Sequence, residues 1–273
     1  MSIVYYSQNL DRQEFATKVI NTFLDKIKSC DSFLIKPNLV SSDPYPTTTH
    51  PQMVQAVIQN LLGLGKRDIV VADGPATDAG SSYKIIQNHP IKKVCDYYGV
   101  DLVNLYSTKS RKIISPRHFP LRLFSLPLEK DLVISLPVLK EHSCCGLTGA
   151  LKNQFGYLPR RERLALHGLS RLGKDILSRG IAEINVSAKP DLVIMDGVET
   201  LLGCQELRHG GKVAHLGYLM AGEDPVSLDS FGFRILQKLP GSRLAGLSID
   251  KIGHLVYSAQ YGVGNLDFTE ERW

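Results

Sequence analysis

Lys140, His142 and Lys152 stand close together within the segment 136–156, which leaves the apolar run Leu132-Val133-Ile134. Two ammonium groups suit a carboxylate or phosphate, and an imidazole suits proton transfer near neutral pH. A short helix opening between Gly149 and Gly156 would add free amide hydrogens and partial positive charge, which also favour an anion. His142 and Lys152 are therefore the candidate catalytic groups, with Lys140 and Asn153 as candidate substrate contacts. The competing account is structural: His142 is a hydrogen-bonded core residue, and Lys152 only runs its stem along a helix towards solvent.

Chemically capable groups also follow other apolar runs. Lys36-Pro37-Asn38 follows Phe33-Leu34-Ile35, Asp73-Gly74-Pro75 follows Ile69-Val70-Val71-Ala72, and Asp196-Gly197 follows Leu192-Val193-Ile194-Met195. Lys36 and Asn38 are candidate anion contacts. Asp73 and Asp196 are candidates for orienting substrate or holding a magnesium-like ion through oxygen. Asp-Gly is also an ordinary turn former, so the coincidence at several run ends carries more weight than any single pair.

The elements that must position these groups are legible as periodicity. Residues 32–73 read as strand–helix–strand: two short apolar runs flank Met53, Val54, Val57, Ile58, Leu61 and Leu62 at helical spacing. Thr49-His50-Pro51 marks that helix's start, and Gly63 and Gly65 mark its stop. Phe15, Val19, Ile20, Phe23, Leu24 and Ile27 predict one earlier helix between Asp11 and Ser29. Further strands are expected at 3–6, 101–105, 132–136, 192–195 and 215–221. Three of the apolar runs follow a near-repeat, Asp68, Asp131 or Asp191 standing just before each, as expected of strands buried on both faces. Ile113-Ile114 and residues 121–124 are expected to pair antiparallel at the sheet edge. His209-Gly210-Gly211-Lys212 reads as a hairpin turn, and Asp224 as a helix cap.

The fold class that follows is α/β: a mainly parallel sheet flanked by helices, with a small antiparallel edge. One domain spans 1–273. Residues 157–180 form a basic helical insertion, with Leu164, Leu166, Leu169, Leu172 and Ile176 on one side and Arg163, Arg171, Lys174 and Arg179 elsewhere. Ligands of such sheets gather beyond the carboxyl ends of the strands, where the polar groups above recur. The connection from Ser41 to His50 is long for a strand-to-helix loop, and long loops tend to be functional.

Composition narrows the function. With 43% apolar and 22% charged residues the chain is of the globular class, and it has no unbroken apolar run long enough to span a bilayer. No signal peptide is visible at the start, so a cytoplasmic protein without a membrane partner is expected. The net charge of +5 comes from scattered cations, which fits a small anionic ligand better than nucleic acid. Cys30, Cys95, Cys144, Cys145 and Cys204 form no Cys-x-x-Cys pair. Neither a disulfide framework nor a standard zinc site is thereby indicated, and Cys144, Cys145 and Cys204 are weak metal candidates. Walker, Rossmann, Gly-x-Ser-x-Gly and His-Glu-x-x-His signatures are absent.

Taken together, Lys36-Pro37-Asn38, Thr49-His50-Pro51, Asp73-Gly74-Pro75, the block from Lys140-x-His142 to Lys152-Asn153-x-Phe155-Gly156, Asp196-Gly197 and Gly222-x-Asp224-Pro225-Val226-x-x-Asp229 resemble the domain-of-unknown-function family 362. The resemblance runs from about residue 30 to residue 235. Several members of that family carry an appended ferredoxin-like cluster module, which this sequence lacks. Where the family pattern shows a glycine-rich, proline-containing stretch after Asp196-Gly197, this chain has Leu201-Leu202-Gly203-Cys204-Gln205-Glu206. The leading expectation is an enzyme acting on a small anionic metabolite or cofactor precursor, with the reaction class and cofactor unassigned. The alternatives are a metal- or iron–sulfur-dependent redox protein, implied by the family's cluster modules, and a non-catalytic anion- or RNA-binding module.

Overall fold

Unbroken apolar runs become strands covered on both faces. In the computed structural model, which describes residues 2–170 and 175–273, the order is β1 (Ser2–Ser7), α1 (Arg12–Thr22), α2 (Leu24–Lys28), β2 (Ser32–Pro37), α3 (Pro51–Gly63), β3 (Asp68–Asp73), α4 (Ser82–Asn88), α5 (Pro90–Tyr98), β4 (Asp101–Asn104), β5 (Ser110–Ile114), β6 (Pro120–Phe124), β7 (Leu132–Leu136), β8 (Lys140–His142), β9 (Gly146–Thr148), α6 (Ala150–Asn153), α7 (Arg160–Ser170), α8 (Ile176–Ser187), β10 (Leu192–Leu202), β11 (Lys212–Gly222), α9 (Pro225–Leu236), α10 (Gly253–Gln260) and β12 (Phe268–Arg272). The main sheet has the order β12-β1-β11-β10-β7-β2-β3-β4. Its strands from β10 to β4 are parallel, β11 is antiparallel to both β10 and β1, and β12 is parallel to β1. Among the described residues, no helix is long and apolar enough to cross a membrane.

Strand alternation sorts the apolar runs into two cores. Phe33, Ile35, Ile69, Val71, Leu132, Ile134, Leu192 and Ile194 pack with α1, α3 and α5 on one face. Leu34, Val70, Val133 and Val193 pack with α6, α8, α9 and α10 on the other. The acidic residue before each run has a register role. Asp131 accepts the amides of Asp31 and Ser32, Asp191 accepts that of Val133, and Asp68 pairs with Lys130. Each thus ties the start of one strand to its neighbour.

The chain leaves β2 for β3 on one side, while β7 returns to pair on the other side of β2. This reversal opens a crevice beyond the carboxyl ends of β2 and β7. The segments that follow those strands carry Asn38 and, at the start of β8, Lys140.

Several elements differ from expectation. The helix expected over 11–29 is broken at Phe23, where α1 ends and α2 begins. β5 and β6 do pair antiparallel, but as a separate two-stranded ribbon rather than at the edge of the main sheet. Leu121 and Leu123 of that ribbon are drawn into a core face, which holds it away from β4. Asp196-Gly197 does not end its strand, because β10 continues to Leu202 through a bulge between Gly197 and Glu199. In the insertion, Leu166 is buried but Leu164 and Leu169 are exposed, while Arg163 is buried. Arg171, Leu172 and Lys174 lie outside the described residues.

Candidate functional site

The crevice is a cleft of about 470 Å³. Its lining includes Asn38, Asp73, Lys140, His142, Cys144, Lys152 and Asn153. It also includes Thr148, Phe155, Arg163, His167, Gln205, Glu206 and His209. Most candidates read from the sequence are therefore brought together. Lys36 is part of the floor without lining the cleft, and Asp196 lies elsewhere.

The floor is an ion pair. Lys36 Nζ meets Asp73 Oδ1 at 2.7 Å, with side-chain exposures of 0% and 3%. Asp73 also accepts the amides of Leu39 and Gly74, each at 2.7 Å, while Lys36 donates to the Pro37 carbonyl. Burial pulls the Lys36 pKa down, and Asp73 opposes that shift. Gly156 lies flat against the pair, and a Cβ there would collide with Asp73 and Lys36. Asn153 Nδ2 donates to the Lys36 carbonyl and to Ser135 Oγ, joining the ends of β2 and β7. Its role is at least partly to hold the floor together.

One wall is the hairpin β8–β9. Alternation along β8 sends Lys140 and His142 towards the cleft and Glu141 away. Glu141 anchors the hairpin by accepting the Gly203 amide at 2.6 Å, the Arg243 amide at 2.7 Å and the Ser242 hydroxyl at 2.7 Å. Lys140 Nζ donates to Asn38 Oδ1 and to the Thr47 carbonyl, so the long 41–50 loop also supports it. His142 Nδ1 accepts the amides of Cys144 and Cys145. A neutral imidazole acceptor at Nδ1 carries its proton at Nε2. Burial, followed by the charge of Lys152, holds His142 well below the usual histidine range and keeps it neutral.

The helix start expected to receive an anion is already occupied. Asp229 of α9 accepts the Ala150 amide at 2.6 Å and the Leu151 amide at 3.0 Å. Gly149 is required for this approach, because a Cβ there would meet the Asp229 carboxylate. The sequence placed Asp229 only at the opening of α9; its 79-residue reach to Ala150 is a tertiary fact.

Lys152 is left free of this network. Among the described residues its Nζ has no hydrogen-bond or carboxylate partner, and it lies 3.7 Å from the centre of the Phe155 ring. Burial lowers its pKa to about 8, and burial likewise lowers Lys140 to about 7. Arg163, which sequence reasoning assigned only to a basic insertion, donates to the carbonyls of Leu158, Pro75 and Gly156. None of Lys140, Lys152 and Arg163 forms an ion pair among the described residues. The acids at the rim are committed: Arg208 takes Glu206 at 2.7 Å and Asp78 at 3.0 Å, and His209 also reaches Asp78. Cationic charge therefore exceeds free anionic charge inside the cleft.

Asp196 serves a different place. In register with Leu192 and Ile194, it faces α1, where Arg12 Nε meets it at 2.6 Å and Tyr45 Oη at 2.8 Å. Tyr45 in turn accepts the Glu199 amide, which pins the 41–50 loop to β10. Asp196 and Asp73 therefore do not share a metal site. Cys144 lines the cleft, Cys145 is buried with its thiol pushed up to about 11, and Cys204 donates to Gln205.

A family model described as a domain of unknown function, DUF362, matches residues 33–234. The chain belongs to this family. The DUF362 match takes in the whole floor, the β8–β9 hairpin, Lys152 and the Asp229 cap. The thylakoid-associated protein sll1697 of Synechocystis sp. is 30% identical over 224 residues, covering 79% of this chain but only 66% of that protein. The lactate racemase apoprotein of Thermoanaerobacterium thermosaccharolyticum aligns with a TM-score of 0.50 at 13% identity, over 82% of this chain and 54% of that one. That likeness shows a shared α/β fold. A Thermotoga maritima crystal structure aligns at 0.48 and 12% identity, over 93% of this chain and 60% of its own.

Two outcomes test this geometry. Asp229→Ala, which strands two buried amides, is expected to cost about 3 kcal/mol in denaturant unfolding, with Asp229→Asn costing less. Amine-selective labelling followed by peptide mapping is expected to modify Lys152 with an inflection near pH 8. An inflection in the ordinary lysine range would remove the depressed amine from the site.

Proposed function

We propose that this DUF362 protein is a cytoplasmic enzyme that binds a small anionic metabolite or cofactor precursor in the cleft. Lys152 carries this reading: it is an ammonium turned into a cleft with no acceptor of its own among the described residues. Lys140 and Arg163 add charge that no carboxylate neutralises, and convergence of this kind is the pattern of a ligand site. A bound carboxylate or phosphate supplies the missing partner.

The same groups divide a proton-transfer step between them. Lys152 holds the anion as an ammonium and, in the minor neutral fraction that a pKa of about 8 leaves, is able to accept a proton while Lys140 and Arg163 hold the ligand's charge. His142 donates from Nε2, because its Nδ1 is fixed as an acceptor by two amides. Such a pair suits chemistry beside a carboxylate or phosphate, in which one group removes a proton and the other polarises an oxygen. Asn38 holds Lys140 in place, and Asn153 holds the floor.

The redox alternative receives less support. Among the described residues no three His, Cys, Asp or Glu side chains are grouped as metal ligands.

A thermal-shift screen of inorganic phosphate and small mono-, di- and hydroxycarboxylates is the direct test. One or more is expected to stabilise the protein at neutral pH, by about 2.7 kcal/mol at a hundredfold excess over Kd. Lys152→Ala is expected to abolish the shift while leaving the unliganded melting temperature close to wild type. Affinity is also expected to fall as pH rises from 6.5 to 9, because the cleft lysines, at about 7 and about 8, lose their protons over that range. Binding unchanged in Lys152→Ala, or stoichiometric iron with a visible absorption band after anaerobic purification, would sink this reading.

A further inference from the structure

Between Asp101 and Glu129 the chain has no acidic residue, yet it carries Lys109, Arg111, Lys112, Arg117 and Arg122. This stretch holds the β5–β6 ribbon, which stands apart from the main sheet. Its register sets Lys112 opposite Arg122 and Ile114 opposite Pro120. Opposed and alternate residues share a face, so these stand together on one side, with Ile113, Leu121 and Leu123 on the other against the core. Ile114, at the turn end of the ribbon, is 72% exposed.

That outer face is built against its own stability. Like charges directly opposite on paired strands repel. The nearest carboxylate relief among the described residues is Glu162 of α7, 3.6 Å from Arg122, and Lys112 has no ion pair there. The ribbon therefore presents at Lys112 a cation with no ion pair among the described residues, beside an aliphatic side chain that it does not bury.

We propose that this face docks on an anionic lipid bilayer, with Lys112 on a headgroup phosphate and Ile114 at the acyl boundary. Basic residues around an exposed apolar side chain match the two attractions a charged membrane surface offers, electrostatic and hydrophobic. Nucleic acid uses the cations but not Ile114, and single strands are gripped by exposed aromatic faces. The aromatic rings of the ribbon are already engaged within the protein. Phe124 is buried, Phe119 is half-buried, and Tyr106 packs edge-on against Phe124.

Flotation of the full chain with vesicles of phosphatidylcholine alone, or mixed with phosphatidylglycerol, tests this directly. Binding is expected to the mixed vesicles only, and high salt is expected to abolish it. Lys112→Glu is expected to weaken binding on the order of 20-fold, from reversing one charge near the surface. Its melting temperature is expected to hold or rise, since repulsion from Arg122 becomes attraction. Ile114→Ser is expected to weaken binding roughly tenfold with the salt dependence unchanged. Failure to bind mixed vesicles, or binding indifferent to both substitutions, would overturn the proposal. So would capture of polyuridylate, without vesicle binding, that Lys112→Glu abolishes and Ile114→Ser leaves intact.

Discussion

The buried pair of Lys36 and Asp73 sets the geometry of everything above it. Two charges withdrawn from water are tolerated only when their remaining hydrogen-bonding capacity is used. Here that requirement fixes the backbone, because Asp73 collects the amides that follow both β2 and β3. The points at which the chain leaves those strands are thereby locked. Gly156 then packs on the pair, and its carbonyl receives Arg163, so one interaction at the sheet edge propagates through the floor into the cleft wall.

Above the floor, polar groups separate into those already satisfied and those left over. Glu141, Asp196, Asp229, Glu206 and Asp78 are all spent on protein partners. The carboxylates thus build the scaffold, while Lys140, Lys152 and Arg163 keep charge that the protein does not cancel. Burial of an uncancelled cation is costly, which is why Lys140 and Lys152 lie so far below ordinary lysines.

Much of this was legible from local pattern. The apolar runs with their preceding aspartates, the amphipathic α3 and the polar strand ends follow from side-chain periodicity, and the structure places them as that periodicity implies. Lys140, His142 and Lys152 stood out because charged and titratable groups follow a buried strand, and the structure brings them to one cleft. What escaped was set by partners distant in sequence. Asp196 read as a strand end because the bulge in β10 leaves no local signature. Arg163 read as a surface cation because the carbonyls that receive it come from other loops. Glu206 and His209 sit in the hairpin correctly expected near residue 210, but nothing in that turn announces which side of the sheet it overhangs.

The Asp229 cap has a consequence for the order in which the molecule completes itself. The donors at the start of α6 find their acceptor only after a loop of 79 residues has closed, with α8, β10 and β11 laid down between. Closing so long a loop carries an entropic cost that the intervening packing has to offset first. Lys152 is therefore oriented by a contact 79 residues away in sequence, and a nascent polypeptide without α9 has no finished cleft. The family match continues to residue 234, past Asp229, and so contains both ends of that closure.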